Sequence, residues 1–262
     1  MTIAKEFKPH EIIPYKEVST SRLQLHVFFP KANKTSDRRP AIVFFFGGGW
    51  KNGSPAQFYP QCEHLAYRGI VAISAEYRVE SLHRTSPRES VIDGKSAIRW
   101  VRQHAMELGV DPEQIVAGGG SAGAHVAAAT AMIEGFEQPG EDTSVSCRPN
   151  ALVLFNPVFD NGPNGYGYDR VKEYWEEFSP LHNIRESTPP TIVLLGTKDN
   201  LVPVETAEAY KDQMEIKGNR CDLYLFEGQP HGFFNYNNPE NFAGTVDKMD
   251  QFLMSIGFLE AE

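Results

Sequence analysis

The sequence predicts an α/β protein with a mostly parallel central sheet and helices on both of its faces. Two observations carry this. Short runs rich in β-branched and aromatic residues alternate with longer runs of helical spacing, and that alternation is the pattern of βαβ units. No internal repeat, low-complexity tract or linker interrupts the 262 residues. Residues 1–262 therefore read as one domain, with one irregular insertion at about 160–190.

The elements follow in order. "LQLHVFF" (23–29) and "AIVFFF" (41–46) read as strands. "AQFYPQCEHLAYRG" (56–69) reads as a helix stopped by Gly69. "IVAISAEYR" (70–78) is a strand. In "SVIDGKSAIRWVRQHAMELG" (90–109), Val91, Ala97, Ile98 and Val101 recur at the spacing of one buried helix face. "QIVAGGG" (114–120) is a short strand, and "AGAHVAAATAMIEG" (122–135) a helix of small residues able to pack closely on a sheet. "NALVLFNPVF" (150–159), "PTIVLLGTKD" (190–199) and "CDLYLFEG" (221–228) add three strands, with helices near 204–217 and 240–256. The insertion is rich in Gly, Pro and aromatic residues and holds one short helical candidate, "RVKEYWEEF". Irregular segments of that length inside a compact domain are commonly functional.

Composition excludes several functions. Asp and Glu outnumber Lys and Arg, 34 to 25, for a net charge of −9. No basic stripe is present to neutralise nucleic-acid phosphates or an anionic membrane surface. No apolar run approaches the roughly 18 residues of a membrane span. The first 18 residues lack the apolar core of a signal peptide. Cys62, Cys147 and Cys221 are odd in number and far apart, which reads as three reduced thiols and not as a disulfide framework or zinc site.

Chemistry concentrates after the strand ending "AGGG". Residues 119–123, Gly-Gly-Ser-Ala-Gly, match G-x-S-x-G, in which a serine sits on a sharp strand-to-helix turn and its neighbours must be small. Residues 118–123 also match G-x-G-x-x-G, the dinucleotide-binding fingerprint. That fingerprint belongs on the first βα unit, whereas at least three strands precede it here. The remaining residues favour the serine. Asp199 ends one predicted strand and His231 follows another, so Ser121, Asp199 and His231 occur in the order serine, acid, histidine expected of a nucleophile, orienting acid and base on such a sheet. Asp160, which ends the preceding strand, is the alternative acid. Asp93 reads as a charge on the helix surface or at the helix start. His125 reads as a packed helix residue, and His182 as structural or pocket-lining.

"FFFGGGW" (44–50) supplies what the serine lacks. A buried strand runs into glycines whose N–H groups can approach a substrate oxygen. The amides of Gly48, Gly49 and Ala122 are the candidate oxyanion hole. Trp50, Tyr166, Tyr168 and Trp175 are candidates for lining the substrate pocket, with packing of the insertion as the competing role. The chemistry needs no metal and no cofactor. A serine peptidase or a non-catalytic ligand-binding module are the other readings.

At these motifs the sequence resembles the α/β-hydrolase superfamily, and within it the esterases similar to hormone-sensitive lipase. The oxyanion loop, the Gly-Gly-Ser-Ala-Gly elbow, "SAEYR", "GTKDNLVP" and "HGFF" carry the resemblance, over about residues 20–255. One departure is Phe46, where the family loop has histidine. The short N-terminal part looks more like compact bacterial esterases that remove acetyl or feruloyl groups from plant polysaccharides. The resemblance implies hydrolysis of short-chain esters through an acyl-enzyme, with a small ester or acylated carbohydrate as substrate.

Overall fold

The computed structural model describes residues 6–19 and 21–261. The absence of a signal-peptide pattern was read partly from residues 1–5, which lie outside the described residues. Among the described residues, no helix is long and apolar enough to cross a membrane.

Eight strands form one sheet: β1 (Glu11–Val18), β2 (Ser21–Phe28), β3 (Arg39–Phe45), β4 (Val71–Ala75), β5 (Val110–Gly120), β6 (Ala151–Phe155), β7 (Thr191–Gly196) and β8 (Cys221–Phe226). Their spatial order is β1-β2-β4-β3-β5-β6-β7-β8. β1 and β2 are antiparallel to each other, and β2 is antiparallel to β4; every pair from β4 to β8 is parallel. β4, β6 and β7, inside the parallel part of the sheet, are buried on both sides, so they read as continuous apolar runs.

Five longer helices cover the sheet: α1 (Tyr59–Tyr67), α2 (Pro87–Gln103), α3 (Ala122–Met132), α4 (Val204–Ile216) and α5 (Pro239–Ser255). The phenylalanine run of β3 separates them, because successive strand residues point to opposite faces. Phe44 stacks on Phe58, just before α1, with ring centroids 4.7 Å apart. Phe45 meets Gly94 of α2 and Gly123 of α3 on the other side. α1 and α5 are tied through His64, which lies 2.8 Å from Asp250. α3 and α4 meet where Tyr210 contacts Met132. α3 is apolar all round and completely buried, as a helix of small residues sandwiched against a sheet must be.

Some boundaries differ from the sequence reading. β1 was not anticipated, because "EIIPYKEV" lies on the sheet's edge with most side chains at least partly exposed. The helix expected over 90–109 starts earlier, at Pro87, where Ser86 and Glu89 form a capping box, and it breaks at His104 before a short turn of helix over Ala105–Leu108. The helix candidate in the insertion resolves into two single turns, Tyr168–Val171 and Trp175–Phe178. Val91, Ala97, Ile98 and Val101 do form one buried face.

Asp93 is a correction. It is fully buried, with Lys16 Nζ 2.7 Å away and the Arg78 guanidinium in a two-pronged contact at 2.8 Å. An anion buried there requires such partners. The pair of cations locks β1 and the end of β4 to α2. Burial pulls the Lys16 ammonium below its usual range, against the pull of Asp93.

All three cysteines are free and buried. Burial raises the Cys62 and Cys147 thiols and pushes Cys221 up to about 12, so they remain protonated.

Candidate active site

Ser121 caps β5 and starts α3 with φ 55° and ψ −121°. This is a strained conformation for a residue with a side chain. The surrounding bonds hold it: Ser121 N donates to Phe155 O at 2.9 Å, and Ser121 O accepts from His125 N at 3.1 Å. The glycines around it serve packing. A Cβ on Gly119 would lie 2.5 Å from Gly123 C and 2.6 Å from Phe45 O, and one on Gly120 would lie 2.5 Å from the Phe234 ring. The glycines of the apparent dinucleotide fingerprint are thus occupied by the protein's own atoms.

His231 Nε2 lies 2.8 Å from Ser121 Oγ, and His231 Nδ1 lies 2.6 Å from Asp199 Oδ2. The Asp199 carboxylate is buried, and its Oδ1 accepts from Leu201 N and Val202 N, each at 2.9 Å. Two backbone donors fix the carboxylate and leave Oδ2 for the imidazole. Asp160, the alternative acid, instead accepts from Gly162 N at 2.7 Å and shapes the insertion.

The loop after β3 carries Gly47, Gly48, Gly49 and Trp50 past the serine. A Cβ on Gly47 would be only 3.4 Å from Ser121 Cβ. Gly48 (φ 127°), Gly49 (φ 65°) and Trp50 (φ 58°) all lie at positive φ, and lysine and asparagine at 51 and 52 fold back to donate to Gly48 O. Gly47 N donates to Gln57 Oε1 at 2.6 Å. Gly48 N and Gly49 N reach no acceptor among the described residues, so both donors stay available. Ala122, first residue of α3, has one of the orphan N–H groups of a helix start. Phe46 packs flat on Tyr77, with centroids 4.3 Å apart, while Tyr77 Oη donates to Phe46 O at 2.6 Å. An aromatic stack therefore anchors the loop where the resembled family has histidine.

The aromatic candidates divide. Trp50, expected at the pocket, is only 1% exposed and packs edge-on against His125 at 5.0 Å and against Phe178 at 6.0 Å, so it is a core residue of the insertion's docking surface. Trp175 packs edge-on against His182, whose Nδ1 bonds Ser179 Oγ; both are structural. Tyr168 stands beside Lys51 and Arg170 on the surface. Tyr166 reaches furthest in: its Oη would touch a Cβ on Gly49 at 2.8 Å. His125 is fully buried with Nε2 3.0 Å from Phe178 O, and burial holds its pKa down at about 3.

Three residues of the site escaped the sequence reading. Gln57 holds Gly47 N and donates through Nε2 to Asn235 Oδ1 at 2.9 Å, coupling the glycine loop to the histidine loop. Asn156, buried with φ 34°, accepts from Gly232 N at 2.9 Å and lies 3.4 Å from His231 Nε2. Arg170 donates to Gly49 O at 2.6 Å with its guanidinium over the Trp50 ring. Only Asn156 had a signal, an amide directly after an apolar strand end.

The chain is similar to known proteins in sequence and in fold. Residues 25–160 match the BD-FAE family, and residues 147–254 match the prolyl oligopeptidase family. Esterase 2 of Thermogutta terrifontis, in its apo form, superposes with a TM-score of 0.93 at 49% identity, covering 96% of each chain. Structures of that esterase with propionate bound and phosphorylated by paraoxon superpose at TM-scores of 0.92, each at 49% identity and 96% coverage of both chains. Esterase LipC of Mycobacterium tuberculosis is 30% identical over 74% of this chain and 53% of its own length. An acetylxylan esterase of Xylanibacter ruminicola is 27% identical over 83% of this chain and 44% of its own. The chain spans about half the length of these two curated relatives. With one family match extending over half of its residues and near-complete agreement with a solved esterase, the chain belongs to the BD-FAE family, among the serine esterases of the α/β-hydrolase superfamily.

Proposed function

We propose that the protein hydrolyses short-chain carboxylic esters, with Ser121 as nucleophile, His231 as base and Asp199 as the acid that orients it. The observation that carries this is the unbroken relay Ser121 Oγ, His231, Asp199 at 2.8 and 2.6 Å on a strained turn. Nε2 of His231 takes the hydroxyl proton as Oγ attacks the ester carbonyl. Asp199 accepts from Nδ1–H and stabilises the imidazolium. The N–H groups of Gly48, Gly49 and Ala122 receive the charge that develops on the carbonyl oxygen. Collapse breaks the C–O bond to the alcohol, which leaves with the proton from Nε2. Water, deprotonated by His231, then attacks the acyl-enzyme and releases the acid and free Ser121.

The acyl group is short on this reading. Tyr166 stands over Gly49, and the related esterase binds propionate. That related esterase is also phosphorylated by paraoxon, in keeping with an activated nucleophile. Acetylated sugars or oligosaccharides are the substrates we favour within the class, supported by the likeness to an acetylxylan esterase. The match of residues 147–254 to the prolyl oligopeptidase family favours a serine peptidase as second reading. We also take the chain as one domain with an insertion at 160–190 that shapes the pocket. The test is kcat/KM on aryl esters of rising acyl length and on acetylated xylo-oligosaccharides, with a prolyl peptide amide alongside. The expected maximum is at two to four carbons, and Ser121→Ala lowers it by roughly four to six orders of magnitude in a folded protein. Faster cleavage of the peptide amide, or near-normal turnover by Ser121→Ala, overturns the reading.

A further inference from the structure

The loops that follow β3 and β4 line an open cavity of about 760 Å³ that this mechanism does not use. Its lining includes Lys51, Asn52, Glu80, Arg84, Thr85 and Arg170. Three cations thus face one carboxylate, in a chain whose net charge is −9. Lys51, Arg84 and Arg170 have no carboxylate partner among the described residues, whereas Arg22, Arg78 and Arg99 all do. The backbone that carries the cluster is held in place. Arg84 is at φ 55°, a conformation side chains seldom take, and its N–H donates to Glu80 O at 2.8 Å. Glu80 N and Ser81 N in turn donate to Trp50 O and Lys51 O, pinning the β4 loop to the glycine loop.

Its location joins it to the reaction. β3 and β4 lie on one side of β5 in the sheet, and the loops at their carboxyl ends are on the same edge as Ser121. The insertion crosses from the other side through Arg170, whose Nη1 donates to Gly49 O while its guanidinium stays beside the cavity. Arg170 thus both touches Gly49, a candidate oxyanion residue, and lines the cavity.

We propose that this cavity is a subsite for an anionic group, of carboxylate type, carried on the ester several bonds from the scissile carbonyl. The favoured substrates are then acidic esters, not their neutral isosteres. The inference rests on the reading above that Ser121 attacks an ester. A cluster of cations without carboxylate partners attracts such a group, and because Lys51 and Arg84 are exposed the attraction is screened by salt.

The test compares kcat/KM within two pairs of esters. One pair, 4-nitrophenyl hemisuccinate and 4-nitrophenyl succinamate, puts the charge on the acyl arm. The other, 3-acetoxybenzoate and 3-acetoxybenzamide, puts it on the alcohol arm. In at least one pair the acid is preferred by about tenfold or more, and the preference shrinks as KCl takes the Debye length from roughly 30 to 3 Å. Arg84→Glu, and separately Lys51→Glu, lower the acid-to-amide ratio in that pair below its wild-type value. Ratios at or below one in both pairs, or ratios indifferent to both substitutions and to salt, overturn the subsite. Failure of the neutral esters to be cleaved by a Ser121-dependent route is the separate outcome that removes the underlying activity.

Discussion

Three glycines in a row occur twice in this chain, at 47–49 and at 118–120, and each run ends in a non-glycine residue at positive φ, Trp50 at 58° and Ser121 at 55°. The two runs look alike and are required for different reasons. In the first, Gly48 and Gly49 are at positive φ, and their N–H groups are left free. In the second, no glycine has positive φ. There the hydrogen atoms make room: a Cβ on Gly118 would lie 2.7 Å from the Phe44 ring, and those on Gly119 and Gly120 would strike Gly123 and Phe234. The first run is a matter of backbone conformation and of donors, the second of volume.

This difference separates the effects of one added methyl group. Gly49 tolerates a Cβ structurally, because its φ is the left-handed value an alanine reaches at about 1–2 kcal/mol and its only close neighbour is the end of the Tyr166 side chain. On the proposed mechanism the methyl group, set against Tyr166 Oη, nonetheless crowds the amides that would receive the carbonyl oxygen. Gly49→Ala is expected to remain folded and to lose about 100- to 1,000-fold in kcat with little change in KM, the size of effect that follows loss of one oxyanion donor. Steady-state kinetics on the folded variant checks it. Full kcat would reduce the first run to a turn.

Gly118→Ala is the opposite case. The residue already has an ordinary φ, so the methyl group meets only crowding, from Phe44 and from Val153 O at 3.0 Å. We expect a loss of about 1–3 kcal/mol in urea unfolding, as for other overpacked cores. Its fall in kcat per folded molecule should be well below that of Gly49→Ala. A stability unchanged within error would show that the sheet opens enough to accept the methyl group.

Local pattern carried far in this sequence where a rule tied residue type to backbone. Seven of the eight strands were legible, most of them because buried parallel strands are continuous apolar runs, and the serine turn because its neighbours must be small. The order of Ser121, Asp199 and His231 placed all three on one edge. β1 escaped because an edge strand with exposed residues has no such signature. Asp93 was misjudged because its partners, Lys16 and Arg78, are distant in sequence or on another element, and a charge on a helix reads as solvated until they are known. Trp50 was misplaced because nothing local says that the insertion folds back over it. Gln57 and Arg170 were invisible for the same reason: each works through one backbone atom of a distant loop.

The two glycine runs also meet, and that contact sets the smallest effect. His125, one turn into the helix after the second run, packs edge-on at 5.0 Å against Trp50, which closes the first. Its Nε2 is engaged by Phe178 O, and Nδ1 makes no hydrogen bond of normal geometry among the described residues. Burial lowers its pKa to about 3, against roughly 6.5 in the unfolded chain. The folded-state value is the depressed one, so this contribution to stability is fully present above about pH 6.5. It is lost as pH falls towards 3, because the unfolded state binds a proton there that the folded state refuses. The slope from this one group is about 1.4 kcal/mol per pH unit. His125→Gln keeps a donor for Phe178 O but cannot titrate. Unfolding free energies measured by urea from pH 7.5 to 4.5 should therefore fall less steeply in His125→Gln than in wild type, whatever offset the substitution brings at neutral pH. Parallel curves would mean that the imidazole is already protonated in the folded protein, with the proton at Nδ1 finding an acceptor, and that the contact between Trp50 and His125 is looser than the ring geometry implies.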